Sequence, residues 1–225
     1  MTRFLLRWMF RILLLAIVVM ALWVVAYKWI NPPTTFYIQQ ESARRGGITH
    51  TWVDMDNIAP VVARAVVAAE DANFCNHGGV DWDAVRQAWS EGARRGGSTI
   101  SQQTIKNAFL WQGSGWNRWL RKGLEVVITP FADWVWGKER MLEIYLNIIE
   151  FDTKVFGIEA AAWHHYGRSA ADLNRVQAGR LAAVLPNPRD YEAVNPSPFI
   201  RDRAASIIAG SDMIRRDKRA RCFED

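Results

Sequence analysis

The sequence predicts a mainly α-helical, single-domain protein carried on one N-terminal transmembrane helix. Three observations predict it. The chain opens with an uninterrupted apolar run over residues 12–27, behind three arginines. From Pro60 onward, residues that start and stop helices recur at helical intervals. The 225 residues hold no internal repeat or low-complexity tract, and they suffice for one anchored domain with a sizeable core but not for two large ones.

The apolar run defines the anchor. Lys28 can snorkel, and Trp29 and Ile30 extend the stretch toward the ~20 residues that a bilayer requires. Arg3, Arg7 and Arg11 precede it, which predicts a cytoplasmic N-terminus and a body on the far side. A cleaved signal would have a shorter apolar core and a small-x-small cleavage site. Here the run ends in Ala26-Tyr27-Lys28-Trp29, so a retained span over residues 1–30 is expected.

Pro32-Pro33 ends the span. Residues 31–59 read as a connector, irregular or partly stranded, with Arg44-Arg45-Gly46-Gly47 as a loop signal. The domain proper is placed at 60–225. One helix is expected from Pro60 through the acid pair Glu70-Asp71, and a second from near Asp81 to a stop at Gly96-Gly97. A third opens at Ser98-Thr99. A long segment follows from Trp116, broken at Pro130, then a helix over about 138–147. Further helices are expected to end at Gly167, to run from after Ser169 to Pro186, and to cover about 198–218.

Charge and composition narrow the function classes. The net charge is +5 and the pI about 9.5, which suits an anionic partner: nucleic acid, an anionic membrane surface or a pyrophosphate ligand. Twelve tryptophans are many for this length. Between residues 107 and 137, Trp111, Trp116, Trp119, Trp134 and Trp136 stand with Phe109 and Phe131 among Arg118, Arg121 and Lys122. Core packing is the ordinary explanation for one such residue. The mixture of indoles and cations points equally to a second contact with a membrane interface.

Two cysteines, Cys75 and Cys222, make no disulfide framework; a buried thiol is the ordinary expectation for Cys75, and their pairing stays open. No spacing predicts a metal site. His164 and His165 are adjacent, which points them to different faces of a helix.

The chemistry is read from the stretch Glu70-Asp71-Ala72-Asn73-Phe74-Cys75-Asn76-His77. Continued as helix, it places Glu70, Asn73, Phe74 and His77 in one stripe. A carboxylate closing an apolar helix is a candidate for a raised pKa and hence for a general base, against the ordinary reading of a solvated helix end. Gly97-Ser98-Thr99 then enters a helix carrying Gln102, Gln103 and Lys106. Thr99 and Gln102 can form a capping box, and the exposed amides of such a terminus attract anions. Arg121 and Lys122 flank a second carboxylate, Glu125. Over 138–147, Met141, Leu142 and Tyr145 read as core, and Lys138 and Arg140 as solvated if taken alone. Two carboxylates with several cations suit glycosyl transfer from a pyrophosphate donor: one takes a proton from a sugar hydroxyl, and the cations neutralise the leaving diphosphate.

In this order the motifs resemble the peptidoglycan glycosyltransferase family, the penicillin-insensitive transglycosylase module. Glu70-Asp71-x-x-Phe74-x-x-His77 matches the first motif. Gly97-Ser98-Thr99-Ile100-Ser101-Gln102-Gln103 matches the second, with Ser101 in place of a threonine. Arg121-Lys122-x-x-Glu125 matches the third, and Met141-Leu142-Glu143-x-Tyr145-Leu146-Asn147 the fourth. Leu181-Ala182-Ala183-x-Leu185-Pro186-x-Pro188 is similar to the fifth. Neither Ser-x-x-Lys nor Lys-Thr-Gly, the marks of an appended transpeptidase, occurs, so the resemblance is to the monofunctional biosynthetic form.

The resemblance implies a lysozyme-like, mainly helical domain with a membrane-hugging jaw at about 107–137. It implies polymerisation of lipid II into glycan strands with inversion. Glu70 would be the general base on the acceptor C4 hydroxyl, and Glu125 would support the donor pyrophosphate. Asp71, Phe74 and His77 would support the acid motif, while Ser98, Thr99, Gln102, Gln103, Lys106, Arg121, Lys122, Lys138 and Asn147 would bind substrate. The sequence requires no cofactor, and the resemblance leaves a divalent cation, magnesium or manganese, as a candidate at Glu125. Implied partners are lipid II, the growing strand, the membrane and the division or elongation machinery, with no nucleic acid. The implied place is a bacterial inner membrane, with the catalytic domain periplasmic. A lytic enzyme on the same scaffold and a non-enzymatic anchored scaffold are the competing readings. The basic residues of the second and third motifs argue against the first, and the presence of both expected acids against the second.

Overall fold

The computed structural model of the protein describes residues 2–90, 97–113 and 115–224. Helix α1 (Thr2–Ala26) is long and apolar enough to cross a membrane, and its outward side chains, from Phe4 to Trp23, are exposed almost throughout. Its end is fastened to the body. Val24 and Tyr27 are buried, and the Trp136 indole Nε1 donates to the Val24 carbonyl at 2.7 Å.

The connector contains more helix than expected. Helix α2 (Phe36–Arg45) is capped by Thr35, whose hydroxyl accepts from the Ile38 amide, and closed by Gly46 in the left-handed conformation. Strand β1 (Thr49–His50) follows. Helix α3 (Pro60–Glu70) begins with proline at its first turn and buries Val62, Ala63, Ala65, Val66 and Val67. It stops at Glu70. Asp71 has a non-helical backbone, and Phe74–Asn76 form a separate short turn, so the expected continuous stripe from Glu70 to His77 is not a helix face.

Helix α4 (Trp82–Ser90) follows; its expected stop at Gly96-Gly97 falls partly outside the described residues. Helix α5 (Ile100–Phe109) is nearly all buried and packs along α6 (Trp116–Ile148). The long helix runs through Pro130 and breaks instead at Gly137, where φ is 73°. Proline removes one rung while keeping a helical φ, whereas Gly137 combines a positive φ with an extended ψ of 173°, which leaves helical geometry and kinks the chain.

Strands β2 (Glu150–Asp152) and β3 (Val155–Phe156) complete a sheet of order β1-β3-β2, with β1 parallel and β2 antiparallel to β3. Gly157 is required where the sheet meets α6: its φ is 84°, and a Cβ there would lie 2.7 Å from the Asn147 carbonyl oxygen. Helices α7 (Ile158–Tyr166), α8 (Arg175–Val184) and α9 (Pro198–Arg216) follow, and α3 packs against both α8 and α9. The core gathers Phe74, Ile100, Met141, Leu142, Tyr145, Phe151, Phe156 and Leu181 around α3 and α5.

After α9 the chain turns back over the acid motif. Phe223 packs near Phe74, Arg219 donates to the Ala72 carbonyl, and Arg64 pairs with Glu224. This return brings Cys222 to Cys75, and the two form a disulfide. The buried free thiol expected for Cys75 is thereby corrected.

Candidate active site

Three adjoining cavities of about 320, 370 and 210 Å³ surround the end of α3 and the start of α5; Gln103 and Lys106 line the first two, and Glu70 the last two. Glu70 lies at their junction. Gln103 Nε2 donates to Glu70 Oε2 at 2.9 Å, and Arg203 of α9 stands 3.9 Å from the other carboxylate oxygen. Burial raises the Glu70 pKa above the usual carboxylate range. Gln103, Arg203 and Lys106 oppose this by favouring the charged form, and Asp71 reinforces it. The Gln103 amide is itself oriented. The buried Tyr145 hydroxyl donates to Gln103 Oε1 at 3.3 Å, and burial raises the phenol well above its usual range.

Asp71 has a different task from its neighbour. It accepts from the Ile100 amide at 3.0 Å and contacts His77 Nε2 at 3.0 Å. Thr99 and Gln102 form the expected capping box, and Thr99 also donates to the Gly79 carbonyl. The amides of Ile100 and Gln102 are therefore occupied from within the protein. The helix start expected to receive an anion instead docks the acid motif onto α5. Phe74 and His77 pack edge to face beneath it.

The cations collect one turn along. Lys106 lines both the cavity of Arg121, Lys122 and Glu125 and the cavity of Glu70; burial lowers its pKa, Glu125 opposes that, Arg121 and Lys122 lower it further, and Glu70 raises it. Glu125 is buried, with Arg121 on Oε1 and Lys122 on Oε2, and Lys122 also donates to the Ser98 hydroxyl at 2.9 Å. This donor set does not suit a divalent cation. Magnesium and manganese favour several free oxygens, and here one carboxylate has both oxygens committed amid Lys106, Arg118, Arg121 and Lys122.

Two residues expected to bind substrate lie elsewhere. Asn147 is fully buried; its amide clamps Val53 through both the amide and the carbonyl, each at 2.8 Å. Lys138 donates to Asp133 at 2.8 Å and sits 4.5 Å from the Phe74 ring, lining a separate cavity beside Gly137 and Cys222. Arg140 is not solvated either, since it donates to the Tyr27 carbonyl and pairs with Glu143.

Sequence reasoning missed Arg203 and the role of Tyr145. It also missed the wall facing Glu70, where Arg189 binds Glu150, Glu41 and the Tyr37 hydroxyl. No local motif marks Arg203, whose place depends on α9 packing against α3.

A helical groove with one carboxylate at its junction and a cation cluster beside it defines a glycosyl-transfer enzyme. The chain belongs to the transglycosylase family, whose model, described as Transglycosylase, matches residues 39–211. Its relatives include proteins named biosynthetic peptidoglycan transglycosylase. That of Jannaschia sp. (strain CCS1) is 57% identical over 99% of this chain and 90% of its own length. That of Rhodospirillum centenum is 45% identical over 94% and 92%, and that of Caulobacter vibrioides 42% identical over 88% and 87%.

Proposed function

We propose that the protein polymerises glycan strands from lipid II, transferring the growing lipid-pyrophosphate-linked chain to the GlcNAc C4 hydroxyl of an incoming unit, with inversion and release of undecaprenyl diphosphate. Family membership and the names of its relatives make it a peptidoglycan glycosyltransferase. The observation that carries the finer reading is that Lys106 lines both the cavity holding Glu70 and the cavity holding Arg121, Lys122 and Glu125.

In the transfer step, Glu70 takes the proton of the acceptor hydroxyl as that oxygen bonds to the donor anomeric carbon. The bond from that carbon to the pyrophosphate oxygen breaks, and its electron pair leaves with the diphosphate. Arg121 and Lys122, with Lys106 nearby, stabilise that charge most where water is scarce. Glu125 holds the guanidinium and ammonium in place. No step passes through a metal ion.

Helix α1 and the arginines in its N-terminal half, Arg3, Arg7 and Arg11, support a single-pass inner-membrane protein with its N-terminus in the cytoplasm and its catalytic domain in the periplasm. A raised carboxyl pKa alone would also suit a lytic enzyme, which needs a protonated acid; the cation cluster favours a diphosphate leaving group instead. Purified full-length protein is given lipid II and, separately, preformed polymer. Strand growth from lipid II is expected, and release of fragments from polymer without strand growth would overturn the reading.

A further inference from the structure

Adjacent positions on a helix are about 100° apart, which argues against two neighbouring histidines sharing a ligand. In the last turn of α7 the rings nevertheless converge. The His164 and His165 centroids lie 4.8 Å apart, nearly perpendicular, and both Nε2 atoms stand 3.5 Å from Asp152 Oδ2 at the end of β2. The Asp152 carboxylate lies between the two ring directions and so can serve both.

We propose that Asp152, His164 and His165 form a binding site for a borderline transition-metal cation of the zinc class, separate from the transfer groove.

Three observations support it. First, the three donor atoms lie within 4.8 Å of one another. Tetrahedral zinc with bonds near 2.0–2.1 Å would separate its ligands by about 3.4 Å, close to both histidine–carboxylate distances. Second, the His165 side chain is only 7% exposed and its Nε2 has no hydrogen-bond partner. A buried polar nitrogen aimed at a carboxylate, yet unbonded, is costly unless something lies between them. Third, His164 is 51% exposed, so one ligand can turn to set the geometry while the pair behind it stays packed.

The residue types select the metal. Two imidazoles and one carboxylate suit zinc, copper or nickel and not magnesium or calcium, which favour oxygen. None of the three lines the cavities around Glu70. A bound ion would tie the β2–β3 hairpin, and through it Glu150 of the groove wall, to α7.

The test uses untagged full-length protein in detergent, stripped with chelator and kept in millimolar magnesium so that oxygen-seeking sites are filled. Zinc is titrated calorimetrically, and thermal unfolding is followed with and without it. One equivalent is expected to bind, with a zinc-dependent rise in Tm. His164→Gln, an exposed change that leaves the fold intact, and Asp152→Asn are each expected to weaken binding by about tenfold or more and to abolish the Tm rise. Absence of stoichiometric binding, or binding of unchanged strength in both variants, would overturn the proposal.

Discussion

Gln103 sets the electrostatic state of Glu70 from the second turn of α5. Its amide donates to the carboxylate and therefore favours the charged form, while Tyr145 fixes which end of the amide points there. Burial raises the Glu70 pKa, so on the proposed role of Glu70 the base would be lost as pH falls through a value above that of an ordinary glutamate, and the rate would fall with it. Gln103→Ala removes a group that lowers that pKa. The acid limb of the pH–rate profile is expected to move to higher pH, with much of the rate recovered above it; an unmoved limb would contradict the arrangement. Glu70, Gln103 and Lys106 were legible because a helix end and a helix start carry them within short motifs. Arg203 and Arg189 were not, because each meets its carboxylate only through packing of segments more than a hundred residues apart, or nearly forty in the case of Arg189 and Glu150.

At the scale of elements, the acid motif is a junction. Asp71 ends α3 by bonding to the first amide of α5, which local periodicity cannot reveal. Helix α2 was legible in principle: Thr35 before an amphipathic stretch and Gly46 after it are ordinary stop and start residues, and the paired glycines drew attention away from them. The Cys75–Cys222 bridge closes the C-terminal return over this junction across 147 residues. Loop closure of that size stabilises by about 2–5 kcal/mol, so reduction, or Cys222→Ser, is expected to lower Tm clearly. An unchanged Tm would show that the return holds without it. The Trp-rich stretch divides in two. Trp136 and Phe109 are buried against α1, whereas Trp116, Trp119 and Trp134 of α6 are 74%, 75% and 80% exposed, alongside Leu120, Val127 and Phe131. An apolar helix face of this kind, with Arg118 nearby, suits a membrane interface. Protein lacking residues 1–30 is expected to float with liposomes, and changing these three tryptophans to serine is expected to release it. Full solubility before the change would reject the membrane contact.

Over the whole molecule, the anchor and the groove are mechanically joined. Helix α1 docks through the Val24 carbonyl onto Trp136, and Tyr27 just beyond it onto Arg140, where the Trp-bearing stretch of α6 ends. On the proposed reaction, a substrate with a lipid tail would reach Glu70 with its diphosphate near Arg121 and Lys122. The mainly helical class and the long apolar N-terminal helix were legible because apolar period and length report on them directly. The kink was misplaced from Gly137 to Pro130 because proline marks a lost hydrogen bond, while only backbone geometry reveals a positive-φ residue. The measurement that bears most directly on the central claim is the lipid II polymerisation rate of Glu70→Gln, with circular dichroism checking its fold. A fall of ~10²–10⁴-fold in a folded protein is expected of a lost general base. A folded variant that keeps most of its turnover would contradict it.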